Sequence, residues 1–347
     1  MKLTRISDVH AILTEWDIRP QKSLGQNFLI DANILGIMLD TAGITTGDEV
    51  LEIGTGLGVL TEPLARVARR VVTVEKDSRL WPLLKERLTA FPNVELICGD
   101  MMKVDHEALF RSGINKVVAN LPYSVGSAIL VNLVQAETPP AQLTVTLQQE
   151  VAARLIAKPG HKDIGLLTLW TQLRYDVTIR KTVSPTCFYP APGVSSAIIN
   201  LIRRERLTDG TTRVFGVRSS GFGQPTDNFL DRHFFYALTK FAFAHRRKQL
   251  KTILSDAVVT TNSMNRNFKD AATECRGYSK NFPECSRPTQ LGRHKSCPAA
   301  GPNSTTLLQL TAGNVLAAFQ ELGIDPRTRP EDLSVETWRR LANALNE

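Results

Sequence analysis

The sequence predicts an α/β fold: a doubly wound, mostly parallel sheet followed by a small helical domain. Three observations predict it. Short apolar runs alternate with amphipathic stretches from residue 50 to 147, the order that builds a parallel sheet with helices on both faces. The first run is joined to its helix by a glycine-rich turn, Gly54-Thr55-Gly56-Leu57-Gly58. Four of the runs exit in Gly54, Glu75, Asp100 and Asn120, and ligands of such sheets bind beyond the carboxyl ends of the strands.

Ser7 is placed to cap a helix over 7–16, where Val9, Ile12, Leu13 and Trp16 recur at helical spacing before Pro20 ends the run. Residues 21–29 form a polar loop anchored by Phe28 and able to drape over a ligand, followed by a helix from Ala32 to Ala42. Val50–Ile53 is a strand and Val59–Ala68 a helix. The glycines between them let backbone approach a ligand while the helix start supplies free amides. The spacing is G-x-G-x-G, without the third glycine position of the dinucleotide fingerprint.

Val71–Val74 ends in Glu75, a carboxylate where a ribose diol would be hydrogen-bonded. A helix at 80–90 and a strand at 94–98 lead to Gly99-Asp100. The strand at 116–119 delivers Asn120, Leu121, Pro122 and Tyr123, with proline expected to hold neighbouring carbonyls outward. A fifth strand is expected at 143–147, helices at 150–157 and 166–173, a proline-stiffened loop carrying Phe188 and Tyr189, and a last strand at 196–202.

Residues 207–226 read as a linker or long loop rich in Gly, Ser and Thr. A helix from about Asn228 runs into His245-Arg246-Arg247-Lys248-Gln249-Leu250-Lys251, the best candidate for phosphate contact. Residues 256–306 lack periodicity and predict a flexible insertion. Its Cys275, Cys285, His294 and Cys297 contain no C-x-x-C pair, so no metal site is expected. Helices resume at 314–322 and 334–345.

The 347 residues suffice for two domains, and the net charge is +8. It is unevenly placed: residues 203–251 hold 11 Lys or Arg against 4 Asp or Glu, which favours a polyanion, nucleic acid before membrane. No apolar run approaches the ~20 residues of a membrane span. The N-terminus mixes Lys2, Arg5, Asp8 and Glu15 without a signal-peptide core, so a cytoplasmic location is expected. Five cysteines, an odd number outside a secretory context, predict reduced thiols.

Together, Gln26-Asn27-Phe28-Leu29, Glu52-Ile53-Gly54-x-Gly56-x-Gly58, Glu75, Gly99-Asp100 and Asn120-Leu121-Pro122-Tyr123 resemble the small-subunit ribosomal RNA adenine dimethyltransferases. His245–Lys248 and Gly323-Ile324-Asp325-Pro326 are similar to that family's helical domain, and the resemblance spans nearly everything except 256–306. It implies a Rossmann-like class I methyltransferase domain over 1–206, a linker over 207–226 and a helical RNA-docking domain over 227–347.

It also implies S-adenosylmethionine as cofactor, contacted by Asn27, Leu29, Gly54, Gly56, Glu75, Asp100 and Asn120. The target adenine would be held by Asn120, Leu121 and Pro122 and stacked by Tyr123 and Phe188. Lys22, Arg246, Arg247, Lys248 and Lys251 would bind RNA. The implied setting is small-subunit rRNA in a pre-ribosomal particle, with the chain acting as a monomer and dimethylating two adjacent adenines. Large-subunit rRNA methyltransferases are similar in the catalytic domain but usually carry Ile where Leu121 stands. A non-catalytic assembly factor keeping the fold is the alternative of another class. A nicotinamide dehydrogenase is disfavoured by the glycine spacing and the Asn-Leu-Pro-Tyr ending.

Overall fold

Val50, Leu51, Val71, Val72, Val117 and Val118 are fully buried, as expected for the continuous apolar runs of strands covered on both faces. The strands they occupy lie at the centre of one sheet. The computed structural model describes residues 2–206, 212–214, 232–255, 257–261 and 306–346. The chain divides into two units, Met1–Lys158 with Asp163–Thr226, and Pro159–Lys162 with Asp227–Glu347.

The strands of the first unit are β1 (Phe28–Leu29), β2 (Glu49–Ile53), β3 (Arg70–Glu75), β4 (Val94–Cys98), β5 (Lys116–Asn120), β6 (Gln142–Gln148), β7 (Tyr175–Val183), β8 (Phe188–Tyr189), β9 (Ser196–Arg206) and β10 (Thr212–Val214). The main sheet runs β10-β9-β6-β5-β2-β3-β4, with β7 also paired to β9. From β4 to β6 every pairing is parallel. β9 runs antiparallel to both β6 and β7. The Rossmann-like sheet is thus parallel through five strands and finished by antiparallel ones. β2 lies between β3 and β5, so the glycine turn, Glu75 and Asn120 leave the sheet side by side.

The helices of this unit are α1 (Ile6–Glu15), α2 (Ala32–Ala42), α3 (Thr61–Val67), α4 (Trp81–Leu88), α5 (His106–Arg111), α6 (Gly126–Gln135), α7 (Gln149–Leu155) and α8 (Leu166–Arg174). α2 has the limits its sequence predicts. Asp31 caps it by accepting from the Ile34 amide at 2.9 Å, and Gly43 ends it in the left-handed conformation at φ 51°. α6 is not signalled by periodicity. Ile129, Leu130, Val131, Leu133 and Val134 are all buried, and a helix covered nearly all round shows no polar stripe.

In the second unit, α9 (Arg232–Ala244) buries Phe234, Phe235, Leu238 and Phe243. The final helix, Val335–Asn346, buries Trp338, whose indole donates to the Pro330 carbonyl at 3.1 Å. Helices α10 (Leu250–Leu254) and Ala312–Leu322 complete the helical part. Two strands absent from the sequence expectation, β11 (Val258–Thr261) and β12 (Thr306–Gln309), pair antiparallel at the ends of the expected insertion. The residues between them, including Cys275, Cys285, His294 and Cys297, lie outside the described residues, as does most of the expected linker. Among the described residues no helix is long and apolar enough to cross a membrane.

Candidate functional site

The turn after β2 places Gly54, Gly56 and Gly58 at φ 81°, 58° and 90°, conformations a side chain would strain. The Phe28 ring lies where a Cβ on Gly56 would meet it at 3.3 Å. The Gly54 amide donates to the Val74 carbonyl at 2.9 Å. A Cβ on Gly54 would stand 3.7 Å from the Asn120 carbonyl oxygen, so the glycine turn abuts the exit of β5.

Below the turn, Glu52 is completely buried. Its Oε2 accepts from Thr61 Oγ1 at 2.6 Å and from Thr73 Oγ1 at 2.7 Å, and Thr73 in turn shares a hydrogen bond with Thr55 at 2.7 Å. Oε1 has no partner among the described residues. Burial pushes the Glu52 carboxyl up to about 8, against the opposing Thr61 and Thr73 hydroxyls and with the charge of Glu75 adding to it. The network ties the glycine turn to β3 and to α3. Sequence reasoning saw Glu52 only as the residue before the turn and did not find the three threonines.

At the exit of β3, Glu75 Oε2 accepts from the Gly56 amide at 2.8 Å and Oε1 from the Asp77 amide at 2.8 Å. Burial raises its carboxyl above the ordinary value, with the two amides opposing. Asp100, past β4, accepts from the Met102 amide at 3.0 Å and pairs with Lys76 at 2.9 Å. Burial would push its carboxyl up, but the Lys76 and Met102 hydrogen bonds outweigh it and hold the group low. Three acidic groups thus stand on or just past neighbouring strands, two shifted up by burial and one held low by its partners.

The exit of β5 is built differently. Asn120 Nδ2 donates to the Asn27 carbonyl at 2.9 Å, while its Oδ1 is buried with no partner among the described residues. Proline turns only one neighbouring carbonyl inward: that of Pro122 itself accepts from the Val125 and Gly126 amides at 3.2 and 2.8 Å and opens α6. The Leu121 carbonyl accepts no hydrogen bond among the described residues. The half-buried Tyr123 ring is fixed by a hydrogen bond between its hydroxyl and Ser196 Oγ, and burial raises its hydroxyl above the ordinary value. Ser196, fully buried at the start of β9, carries no motif signal and was not foreseen.

The structure places the remaining predicted site residues as follows. Phe188 is 3% exposed; its strand pairs Phe188 with Leu29, and both sit in the core cluster with Ile34 and Met38. The Leu29 side chain is buried likewise, leaving its backbone for a ligand. In the second unit, Arg246 donates to the Lys162 carbonyl at 3.1 Å and is only half exposed, whereas Arg247 and Lys248 are exposed and Lys251 half-buried. Lys22 is exposed in the 21–27 loop of the first unit.

A family model described as ribosomal RNA adenine dimethylase matches residues 18–215. The chain is similar to the ribosomal RNA small subunit methyltransferase A of Geobacillus thermodenitrificans, at 34% identity over 339 residues covering 96% of this chain and 94% of that one. The protein of the same name from Listeria welshimeri is 39% identical over 245 residues, covering 69% of this chain and 77% of its own length. A dimethyladenosine transferase from Plasmodium falciparum shares the fold, with a TM-score of 0.62 at 22% identity over 90% of this chain and 95% of that one.

Proposed function

The chain belongs to the ribosomal RNA adenine dimethylase family, and on that premise we propose that it transfers methyl groups from S-adenosylmethionine to the exocyclic amino group of adenines in small-subunit rRNA. The observation that carries the reading is the Asn120 amide. Its donor end is anchored on Asn27, and its buried acceptor end is unmet. An unmet buried acceptor costs about 1–3 kcal/mol, which a ligand N–H recovers on arrival.

The residues present fit the cofactor. The glycine turn leaves backbone open beside Asn120. Glu75 retains acceptor capacity for ribose hydroxyls on oxygens that each hold one amide, and Asp100 stands charged one strand further out to accept from the adenine amino group. Asn27, the Leu29 backbone, Gly54 and Gly56 complete the contacts. Bound there, the sulfonium supplies a methyl group already activated for transfer.

The target nitrogen is the harder partner, because its lone pair is delocalised into the ring and the base must leave its stack. Asn120 Oδ1 and the Leu121 carbonyl each accept one of its N–H bonds and draw the nitrogen towards tetrahedral geometry, lone pair towards the methyl carbon. With S-adenosylmethionine bound there, the methyl would pass from sulfur to that nitrogen, and the displaced amino proton would leave to solvent. Tyr123 stacks on the base, and Phe188 supports the site from within the core. Pro122 fixes the turn, so positioning and preorganised dipoles carry the rate.

Lys22, Arg247, Lys248 and Lys251 supply phosphate contacts. Acting as a monomer on a pre-ribosomal particle in the cytoplasm, and methylating each of two adjacent adenines twice, belong to the same proposal. The test is transfer of labelled methyl groups to small ribosomal subunits lacking them, followed by nucleoside analysis. Dimethyladenosine is expected; no incorporation by a protein that binds the cofactor sinks the reading.

A further inference from the structure

Two adjacent residues at the end of the loop before β1, Gln26 and Asn27, are tied to different strand exits. Gln26 Nε2 donates to Asp77 Oδ2 at 2.7 Å, while Gln26 Oε1 accepts from the Gln21 amide at 2.8 Å. Asp77 is itself held: Arg79 Nε donates to its Oδ1 at 2.9 Å, and Arg79 Nη1 reaches back to the Arg19 carbonyl at 2.9 Å. One residue further on, the Asn27 carbonyl accepts from Asn120 at 2.9 Å. Gly25, at φ 67°, lies so close to the Asn-Leu-Pro-Tyr turn that a Cβ would come within 3.1 Å of Ser124 Oγ and 3.3 Å of Pro122 Cβ and the Tyr123 amide nitrogen.

β2 lies between β3 and β5, so these two ties flank the glycine turn, and the Phe28 ring that follows packs against Gly56. Asp77 is 5% exposed, and its amide is the group that holds Glu75 Oε1. One short segment therefore joins the carboxylate assigned to the ribose with the amide assigned to the base.

We propose that Gln26 and Asp77 are positioning residues, a latch that holds the 21–27 loop across the cofactor and sets the orientation of the Asn120 amide through Asn27. The inference rests on the proposed function and deepens it, since neither side chain is assigned a contact with either ligand. With the latch closed, Asn27 and Asn120 are fixed together, so the cofactor is retained and the acceptor oxygen is aimed. With it open, both are lost at once. A residue that merely supported the fold would instead change the fraction of active protein and leave the constants of the active molecules unchanged.

The experiment measures, on the full chain, S-adenosylhomocysteine dissociation by stopped flow, and KM and kcat for methyl transfer, in Gln26→Met, Asp77→Asn, the double variant and Gln26→Glu. Gln26→Met keeps the length of the side chain and removes its hydrogen bonds. It is expected to speed cofactor release about 10-fold, the size of one hydrogen bond to a charged group, and to lower kcat by a similar factor at unchanged Tm. Asp77→Asn also loses the charge that holds Arg79 and should be the poorer single variant, and adding Gln26→Met to it should cost less than Gln26→Met costs alone, because both weaken the Gln26–Asp77 bond. Gln26→Glu, which sets two carboxylates face to face, should be the worst of the series.

A wild-type chain that fails to bind S-adenosylhomocysteine overturns the proposed function. A wild-type chain that binds it while Gln26→Met releases it at the same rate and turns over equally overturns the latch, as do fully additive effects in the double variant.

Discussion

The exits of β3 and β5 flank the same glycine turn, yet they are finished in opposite ways. At β3 both Glu75 oxygens already hold backbone amides, and Glu52 beneath holds two threonine hydroxyls. At β5 the Asn120 oxygen and the Leu121 carbonyl hold nothing among the described residues. The difference follows from what each half is proposed to do. A site that keeps a cofactor through many turnovers gains from being shaped in advance, whereas a site that activates a nucleophile must keep its acceptors for the transition state.

Removing the Asn120 amide attacks the unfinished side directly. Asn120→Ala is expected to lower the single-turnover rate of methyl transfer about 10³-fold, the cost of losing one preorganised group at the reacting centre. S-adenosylhomocysteine affinity should change far less. Rapid-quench measurement with labelled cofactor and unmethylated small subunits decides it; a variant that transfers methyl groups at the wild-type rate ends the reading of Asn120 as the acceptor.

Glu52 probes the finished side. The folded protein keeps its proton up to about pH 8, while the ordinary value is 4.5. Between those limits the folded state binds a proton that the unfolded chain has released. The stability due to this group is therefore fully present below pH 4.5 and falls as pH rises towards 8. Glu52→Gln keeps an acceptor for Thr61 and Thr73 and cannot ionise. Relative to wild type it should gain about 3 kcal/mol between pH 5.5 and pH 8, at about 1.4 kcal/mol per unit. Urea unfolding at the two pH values checks this, and parallel stability curves for the two proteins refute it.

The contrast also explains how much could be read from the sequence. Gly54, Glu75, Asp100 and Asn120 were legible because a parallel sheet delivers the ends of its strands to one edge, and each of these residues ends a run whose period is unmistakable. The bonds that hold them were not legible. Gln26 meets Asp77, and Tyr123 meets Ser196, only because the sheet order brings distant segments together, and no local pattern marks those partners. The burial of Phe188 was illegible for a related reason: an aromatic beside prolines looks like a loop residue until its strand pairs with Leu29 and turns the ring into the core. α6 escaped because a buried helix has no polar face, and the pairing of β11 with β12 spans residues too far apart for a local signal.

Tyr123 separates ring from hydroxyl on the unfinished side. Tyr123→Ala should cost about 2 kcal/mol in kcat/KM, the worth of one aromatic–base stack. Tyr123→Phe keeps the stack, loses only the bond to Ser196 and should cost about 1 kcal/mol. Equal losses in the two variants, measured under subsaturating RNA, place the importance of Tyr123 in its hydroxyl and overturn the stacking role.

The smallest effect expected lies away from both exits. Arg247 and Lys248 are exposed in the second unit, and neither is assigned a part in the chemistry. Arg247→Ala or Lys248→Ala should each weaken subunit binding evenly and lower the slope of log affinity against log salt by about 1, leaving single-turnover rates at saturating subunit unchanged. Arg246→Ala should behave differently, because its guanidinium is engaged by the Lys162 carbonyl: the salt slope stays near the wild-type value and thermal stability falls. A full unit of slope lost in Arg246→Ala reassigns that residue to the phosphate-binding set, whereas an unchanged slope in Arg247→Ala and Lys248→Ala removes them from it.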